Sequence, residues 1–522
     1  MIWHIFKKDA RLLWPLAVGV ASVHFLFEAA LLELGHFGDG TLASLMSFIF
    51  IIAFLGSGFL IAAAVHLDAI PGAREDWLAR PVKRRDLLLA KLLFAVVAVE
   101  APIFAADLMQ CLANGFPISE SLGASGSRSV YLFAGFCLPI LALASLTKSF
   151  METMAGGIAA SFGVAGFIVL AERSQRYKII LPTGAGWTAE SACLAVALIG
   201  AIAVLGLQYF RRKTTPAIWL AGTAGLLCLL TGFIPWQVAF AIQQRHAASP
   251  GTGSSIGIAF DPMSEKSDPG QLGRPGKASR DGSGRGGRLA DTVFVDLPLR
   301  IAGLPDDAVL SADRSEARLI GADGGAEILG PANRLEIRSE GQSVDRRARQ
   351  GIPVDGAVYS RFKSQPVRLE IDYSLTLFRL ADSYAIPALG GNQRTPDAGW
   401  CMTEINEART YVRLNCLKPG KLPSYATVLL EHTASGRRNP EQAFGHADYS
   451  PYFGQYLCDA ISRFGADLPF RDPSGLARYP VDGAQLPDSQ VVLKVYQPRD
   501  HFTRRLVIPD VRLQDWESGL GI

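Results

Sequence analysis

Charge of one sign, metal-ligand spacings and nucleotide-binding loops are all scarce in this sequence. Its 51 Lys and Arg nearly balance 48 Asp and Glu, leaving a formal net charge of +3 over 522 residues. That is too little for an electrostatic grip on nucleic acid. The seven cysteines are spread thinly, with Cys111, Cys137, Cys193 and Cys228 in apolar runs and Cys401, Cys416 and Cys458 beyond them. No CxxC or Cys/His spacing suits zinc, and no aspartate-rich loop suits calcium. The nearest approach to a P-loop is Gly276-Lys277, but Ala278 follows where Ser or Thr is needed, and Gln271 stands where the first Gly belongs. Gly253, Ser255 and Gly257 spell GxSxG without the strand before and helix after that a nucleophile elbow requires. His246, His432, His446 and His501 are scattered. The neighbours Asp448, Tyr449 and Asp500 make them surface polar pairs rather than catalysts. On this reading the chain is not an enzyme, has no metal site and holds no cofactor of its own.

What is present is a division. The composition is 49% hydrophobic with a mean hydropathy of +0.21, and that average hides two halves. Residues 1–245 are dominated by apolar runs. About 20 apolar residues cross a bilayer as a helix, and seven segments qualify: roughly 12–34, 42–67, 92–113, 130–147, 151–171, 191–210 and 216–242. The fourth and fifth are separated by Lys148, Ser149 and Phe150 alone, which predicts a tight hairpin. The fifth is rich in small residues that let helices approach closely. Residues 2–11 mix Ile2, Trp3, Ile5 and Phe6 with Lys7, Lys8 and Arg11. They read either as an interfacial helix or as the first turns of span one. The start of the chain resembles a signal peptide, but its apolar part is too long, carries Glu28 and lacks a small-residue cleavage site, so it reads as retained.

Basic residues set the orientation. With the N-terminus inside, Lys7, Lys8, Arg11, the cluster from Arg74 to Lys91, Lys148 and Arg211–Lys213 lie inside. Arg128, Arg173, Arg176 and Lys178 lie outside. Seven spans then deliver the C-terminal half to the outside of a multi-pass cell (inner) membrane protein. Four acids fall in or near spans. Glu33 and Asp107 read as solvated at the outer interface. Glu28, one turn from His24, is placed to pair with it across an i,i+4 face. Glu100 precedes Pro102, where a kink would free a carbonyl. Intramembrane acids are functional candidates, so His24, Glu28 and Glu100 form a candidate polar site, with a purely structural role as the alternative.

The most basic short loop is 67–91, flanked by two spans. Pro71-Gly72 makes a turn, Glu75, Asp76, Trp77 and Leu78 suggest a short polar helix, and Arg80-Pro81 breaks it before the next apolar run. GAREDWLARPVKRRDLLLAKLL, residues 72–93, resembles the coupling loop of the permease subunit of type-2 ABC exporters, at Gly72, Trp77, Arg80, Pro81 and Lys91. The order of spans over about residues 1–213 is similar to theirs, and residues 179–187 would fit their external re-entrant stretch. The resemblance implies that Glu75, Asp76 and Trp77 dock into a separate ABC ATPase subunit that binds ATP-Mg, with Arg80 and Pro81 fixing the loop. It also implies a homodimer or heterodimer with a second permease in the lipid bilayer. This chain departs from the family in adding a seventh span and a large soluble domain. A topology signal without coupling is the plainer alternative for the loop.

Residues 246–290 are Gly, Ser, Pro and charge with few apolar residues, which makes a flexible linker; Ile256–Phe260 is a strand candidate inside it. From 291 to 522 the period becomes two, as in Val367, Leu369, Ile371 and Tyr373, with Pro, Gly and Asp at the turns. Further runs lie at 293–297, 411–414, 428–430, 491–496 and 506–508, and a short helix is expected near Tyr456–Phe464. Cys401 and Cys416 are placed for a disulfide if this half is outside; three reduced cysteines are the alternative. The expected fold is a polytopic α-helical membrane domain (1–245) followed by an extracytoplasmic all-β, sandwich-like domain (291–522). The expected function is an ABC exporter permease, and the alternative is a membrane-anchored envelope sensor or interaction protein with a ligand-binding β domain.

Overall fold

The computed structural model describes residues 1–34, 40–68, 83–159, 186–211, 213–262, 292–322, 324–331, 335–338, 346–444, 460–472 and 479–517. Among these, six helices are long and apolar enough to cross a membrane. They are Ile2–Leu34, Gly40–His66, Arg84–Ala113, Ile118–Leu146, Trp187–Arg211 and Thr214–Phe233. Residues 2–11 run without a break into the first of them. The expected fifth span begins as a helix at 150–159 and then leaves the described residues. Its start is capped by Ser149, whose Oγ accepts from Glu152 N at 3.2 Å.

Among the described residues three of the helices carry a π turn, and two of these turns lie ahead of a proline: Val96–Glu100 in the third helix and Phe133–Cys137 in the fourth. Each ends two residues before a proline, Pro102 or Pro139. Proline has no N–H to give and its ring crowds the carbonyl four residues back, so the helix widens by one residue instead of breaking.

The two ends of the bundle are defined by contacts. At one end His66 meets Thr153 (2.8 Å), Gln208 Nε2 donates to the Ser145 carbonyl (3.1 Å), and Thr214 bonds Gln208 (3.3 Å). At the other end lie Phe116 and Trp187, with the close of the sixth helix. The last expected span is shorter than 216–242: the helix stops at Phe233, and Ile234-Pro235 precedes a separate helix, Trp236–Arg245. That short helix buries Trp236, Ala239, Phe240 and Gln243. Trp187 packs on it, and Trp236 Nε1 donates to Ser374 Oγ at 3.2 Å. The β region therefore sits at the end of the bundle opposite the N-terminus.

The β region is antiparallel throughout its described pairs. In chain order the strands are β1 Gly257–Phe260, β2 Thr292–Ala302, β3 Ala308–Ile320, β4 Ala326–Pro331, β5 Glu336–Arg338, β6 Arg346–Asp355 and β7 Val367–Pro387. Then come β8 Asn392–Thr395, β9 Gly399–Ile405, β10 Tyr411–Pro419, β11 Tyr425–His432, β12 Gln442–Phe444, β13 Ile461–Pro469 and β14 Ser489–Val511. Strands β1, β2 and β6 form one sheet, and β8, β9, β10 and β13 a second. The third, in order β12-β11-β14-β7-β3-β4 with β5 on β3, contains the two longest strands. β7 and β14 pair along nearly their whole length and serve two cores. Leu297, Leu299, Leu369, Ile371 and Phe502 belong to the first; Ile386, Val412, Leu414, Leu468 and Leu493 belong to the second.

Three expectations change here. The runs 491–496 and 506–508 are one strand, with register shifts at Val495/Tyr496, Pro498/Asp500 and Ile508/Val511 that absorb Pro498. Ile461–Phe464 is strand β13 rather than helix, because it pairs with β10 from Pro419↔Ile461 to Tyr411↔Pro469; residues 456–459 lie outside the described residues. The linker is shorter at its start than 246–290. Ile256 is buried in the first core, Gly253 N donates to Asp500 at 2.8 Å, and Arg504 donates to the carbonyls of Gly253 and Ile256 at 2.6 and 2.9 Å. These contacts make 252–260 part of the β region.

Candidate functional site

A polar seam runs through the apolar bundle. The first helix supplies His24 and Glu28, the second Ser57, the third Glu100, Asp107 and Gln110, and the fourth Ser121, Ser125, Arg128 and Cys137, all of them buried. Arg128 Nη1 donates to Glu28 Oε1 at 3.3 Å and pairs closely with Asp107. His24 Nε2 lies 2.9 Å from Ser57 Oγ, and that hydroxyl donates to the Ala53 carbonyl, so His24 is the donor of the pair. Cys137 Sγ donates to Glu100 Oε1 at 3.0 Å. These last two residues close the π turns of the third and fourth helices, so the proline-widened points meet through their side chains.

The expected His24–Glu28 pair is not made; each bonds across to another helix instead. Asp107 is 0% exposed, not solvated at an interface. Arg128 belongs to no loop, because the fourth helix begins at Ile118 and carries it inward, 1% exposed. The signal for this was present. Ser121, Ser125 and Arg128 recur at i, i+4 and i+7, a polar stripe on one helical face, and an arginine between apolar runs calls for a carboxylate.

A second cluster lies at the root of loop 67–91. Lys91 Nζ donates to Asp9 Oδ2 at 2.7 Å, to the Ala64 carbonyl at 2.6 Å and to Asp68. All three protons of its ammonium are used. Lys8 joins through Asp68 and lies 3.4 Å from Asp9 Oδ1. Asp9 and Lys91 are almost fully buried. Burial works against ionisation of the Asp68 carboxyl, but Lys91 and Lys8 together hold it below the ordinary range. From sequence Lys91 is a topology charge and motif lysine; its partners Asp9 and Ala64 come from the first and second helices, distant in the chain. Glu75, Asp76, Trp77, Arg80 and Pro81 lie outside the described residues, so the cluster marks where their loop is rooted.

The β region docks on the far end of the bundle. Phe116 and Cys111 pack with Trp400, Leu417, Ala460 and Ile461, and Arg394 pairs with Glu120 at 2.8 Å. Cys401 and Cys416 sit directly opposite each other on β9 and β10 and are joined by a disulfide; Cys458 lies outside the described residues. His501 and Asp500 are not surface residues but buried. Asp500 accepts from Gly253 N, and Thr376 donates to Asp313 at 2.5 Å, so it accepts from His501 Nδ1 at 2.8 Å. Burial pushes the His501 imidazole down to about 4, with Asp500 opposing. Gly253, first residue of the GxSxG string, has the Phe502 ring where a Cβ would be, 2.2 Å away, which accounts for that glycine by packing. Among the described residues no group of three or more His, Cys, Asp and Glu is arranged to hold a metal.

Together these features define a bundle of membrane-length helices with a β-rich region on one end and buried ion pairs inside it. No family model matches the chain, and no curated protein matches it. Among solved structures, a bacterial adhesin from Mobiluncus mulieris containing intramolecular disulfide, isopeptide and ester bond cross-links aligns at 9% identity, covering 41% of this chain and 90% of that one. The TM-score is 0.12, too low to carry an argument about fold or function.

Proposed function

We propose that this chain is the membrane-spanning permease subunit of an ABC exporter, driven by a separate subunit that binds ATP-Mg. The observation that carries the reading is the ion-pair cluster of Lys8, Asp9, Asp68 and Lys91. Asp68 and Lys91 stand at the two ends of loop 67–91, and Asp9 stands on the first helix. In this reading a push on the loop is delivered through Asp68 and Lys91 to the first three helices at once. The chain does not hydrolyse ATP itself; it converts closure of its partner into a tilt of the bundle.

In this reading the N-terminus and the loop face the cytoplasm across the inner membrane, and the β-sandwich stands outside. Lys7, Lys8, Arg11, Lys83, Arg84, Arg85, Lys91, Lys148, Arg211 and Lys213 gather at the N-terminal end of the bundle, which agrees with positive-inside topology. Arg128, which counted against that orientation, is neutralised within the bundle. The disulfide suits an oxidising compartment. The test is affinity purification from gently solubilised membranes, wild type beside a Glu75→Ala/Trp77→Ala double variant. A soluble ATPase should come with the wild type and be lost from the variant. An ATPase with neither rejects the proposal in favour of an envelope sensor anchored by the same bundle.

A further inference from the structure

The turn between β9 and β10 carries a residue that its geometry disfavours. Arg409 N donates to the Asn406 carbonyl at 2.9 Å, and Asn406 N donates to the Tyr411 carbonyl at 3.2 Å. Asn406 Oδ1 accepts from the backbone N–H groups of Thr410 and Tyr411 at 2.8 and 2.9 Å. A turn of this kind closes with a left-handed residue, usually Gly. Here that residue is Arg409, with φ of 50°, and it is the one non-glycine with positive φ among the described residues. Any Cβ is penalised there, so turn chemistry does not explain the arginine. Strained residues of this kind gather at ligand sites.

Arg409 lines a cavity of about 840 Å³, within the size range of small-molecule sites. Its walls include the apolar side chains of Leu389, Ile405 and Phe470 and the charged ones of Arg409, Arg471 and Glu407. The two arginine segments are held together: Phe470 N and Arg471 N both donate to the Thr410 carbonyl, at 3.0 and 3.1 Å. Both arginines are exposed, and among the described residues neither guanidinium meets a carboxylate. The cavity lies at the end of β10 away from the bundle. Gly420 approaches Ala124 at one end of that strand and Tyr411 stands at the other, a run of about 26 Å.

We infer that this cavity is a binding site for a small organic anion, its carboxylate or phosphate held by Arg409 and Arg471 and its apolar body resting on Leu389, Ile405 and Phe470. A guanidinium is suited to both anions because its planar fork matches their oxygens. The inference does not depend on the exporter reading, since it concerns only the β region's bundle-distal tip.

The test uses the full chain in lipid nanodiscs, with empty nanodiscs as the blank. Calorimetric titration with 3-phenylpropionate is compared with its neutral amide and with inorganic phosphate. Saturable binding of 3-phenylpropionate is expected, at least tenfold weaker for the amide and for phosphate alone. Arg409→Gly suits the backbone φ and so keeps the fold while removing the charge; it should weaken binding of the anion tenfold or more, as should Arg471→Gln. Unchanged far-ultraviolet circular dichroism establishes that the variants are folded. No saturable binding to the wild type, equal binding of acid and amide, or full binding by both variants overturns the inference.

Discussion

Replacing Lys91 with Met separates a force-bearing ion cluster from an incidental one. Lys91 is 1% exposed and Asp9 0%, so the substitution leaves the Asp9 carboxylate buried beside an apolar side chain. Removing one partner of a buried pair costs about 3–5 kcal/mol, because the remaining charge keeps its desolvation penalty. Lys8 stands 3.4 Å from Asp9 Oδ1 and can take part of that burden, which favours the lower end. The Ala64 carbonyl also loses its donor, at about 1 kcal/mol. Adding Asp9→Asn to Lys91→Met removes the stranded charge and should restore about 2 kcal/mol, so the two changes are strongly non-additive. The assay is unfolding in mixed micelles with increasing dodecyl sulfate, followed by circular dichroism, for wild type, both single variants and the double. A cost under about 1 kcal/mol for Lys91→Met, or double-variant effects that simply add, would mean that Lys91 does not neutralise a buried Asp9.

Two further expectations concern the polar seam and the β region. Arg128→Gln strands Glu28 and Asp107 together and should cost about 3–5 kcal/mol in the same assay, more than Asp107→Asn; equal and small effects for the two would mean that the seam is wet. His501 is neutral and buried in the folded state, at about 4 against an ordinary 6.5. The unfolded chain therefore binds the extra proton between these values, so stability is full above about 6.5 and falls as the pH drops toward 4. The loss is about 3 kcal/mol at most. Chemical denaturation of the β region between pH 7 and 4 reads this slope, and His501→Gln should flatten it; an unaltered slope in that variant assigns it elsewhere.

Much of the architecture was legible because hydropathy and periodicity are local properties. Runs of apolar residues long enough for a bilayer mark the helices, and alternation in β7 and β2 marks strands, whatever they pack against. The apolar-to-alternating switch near 291 divided the chain for the same reason. Legibility ended where an outcome depended on partners distant in sequence. Arg128 looked like a loop charge until Asp107 and Glu28 came beside it from two other helices. Lys91 looked like a topology signal until Asp9, far earlier in the chain, was brought to it. Ile461–Phe464 became strand because β10 offered an edge, and 491–511 stayed one strand because a bulge carries Pro498.

The sequence by itself determined the class of most segments: which stretches suit a bilayer and which suit a sheet. Each follows from the side chains of a short window and their transfer between water and an apolar phase. Tertiary structure alone decided who pairs with whom. It settled that the β region stands at the end of the bundle away from the N-terminus. It also settled that Glu28 and Asp107 answer to one arginine, Arg128, and that Arg409 and Arg471 share one cavity. Ion pairing and burial in low dielectric are set by distances in space, and no window of sequence contains those distances.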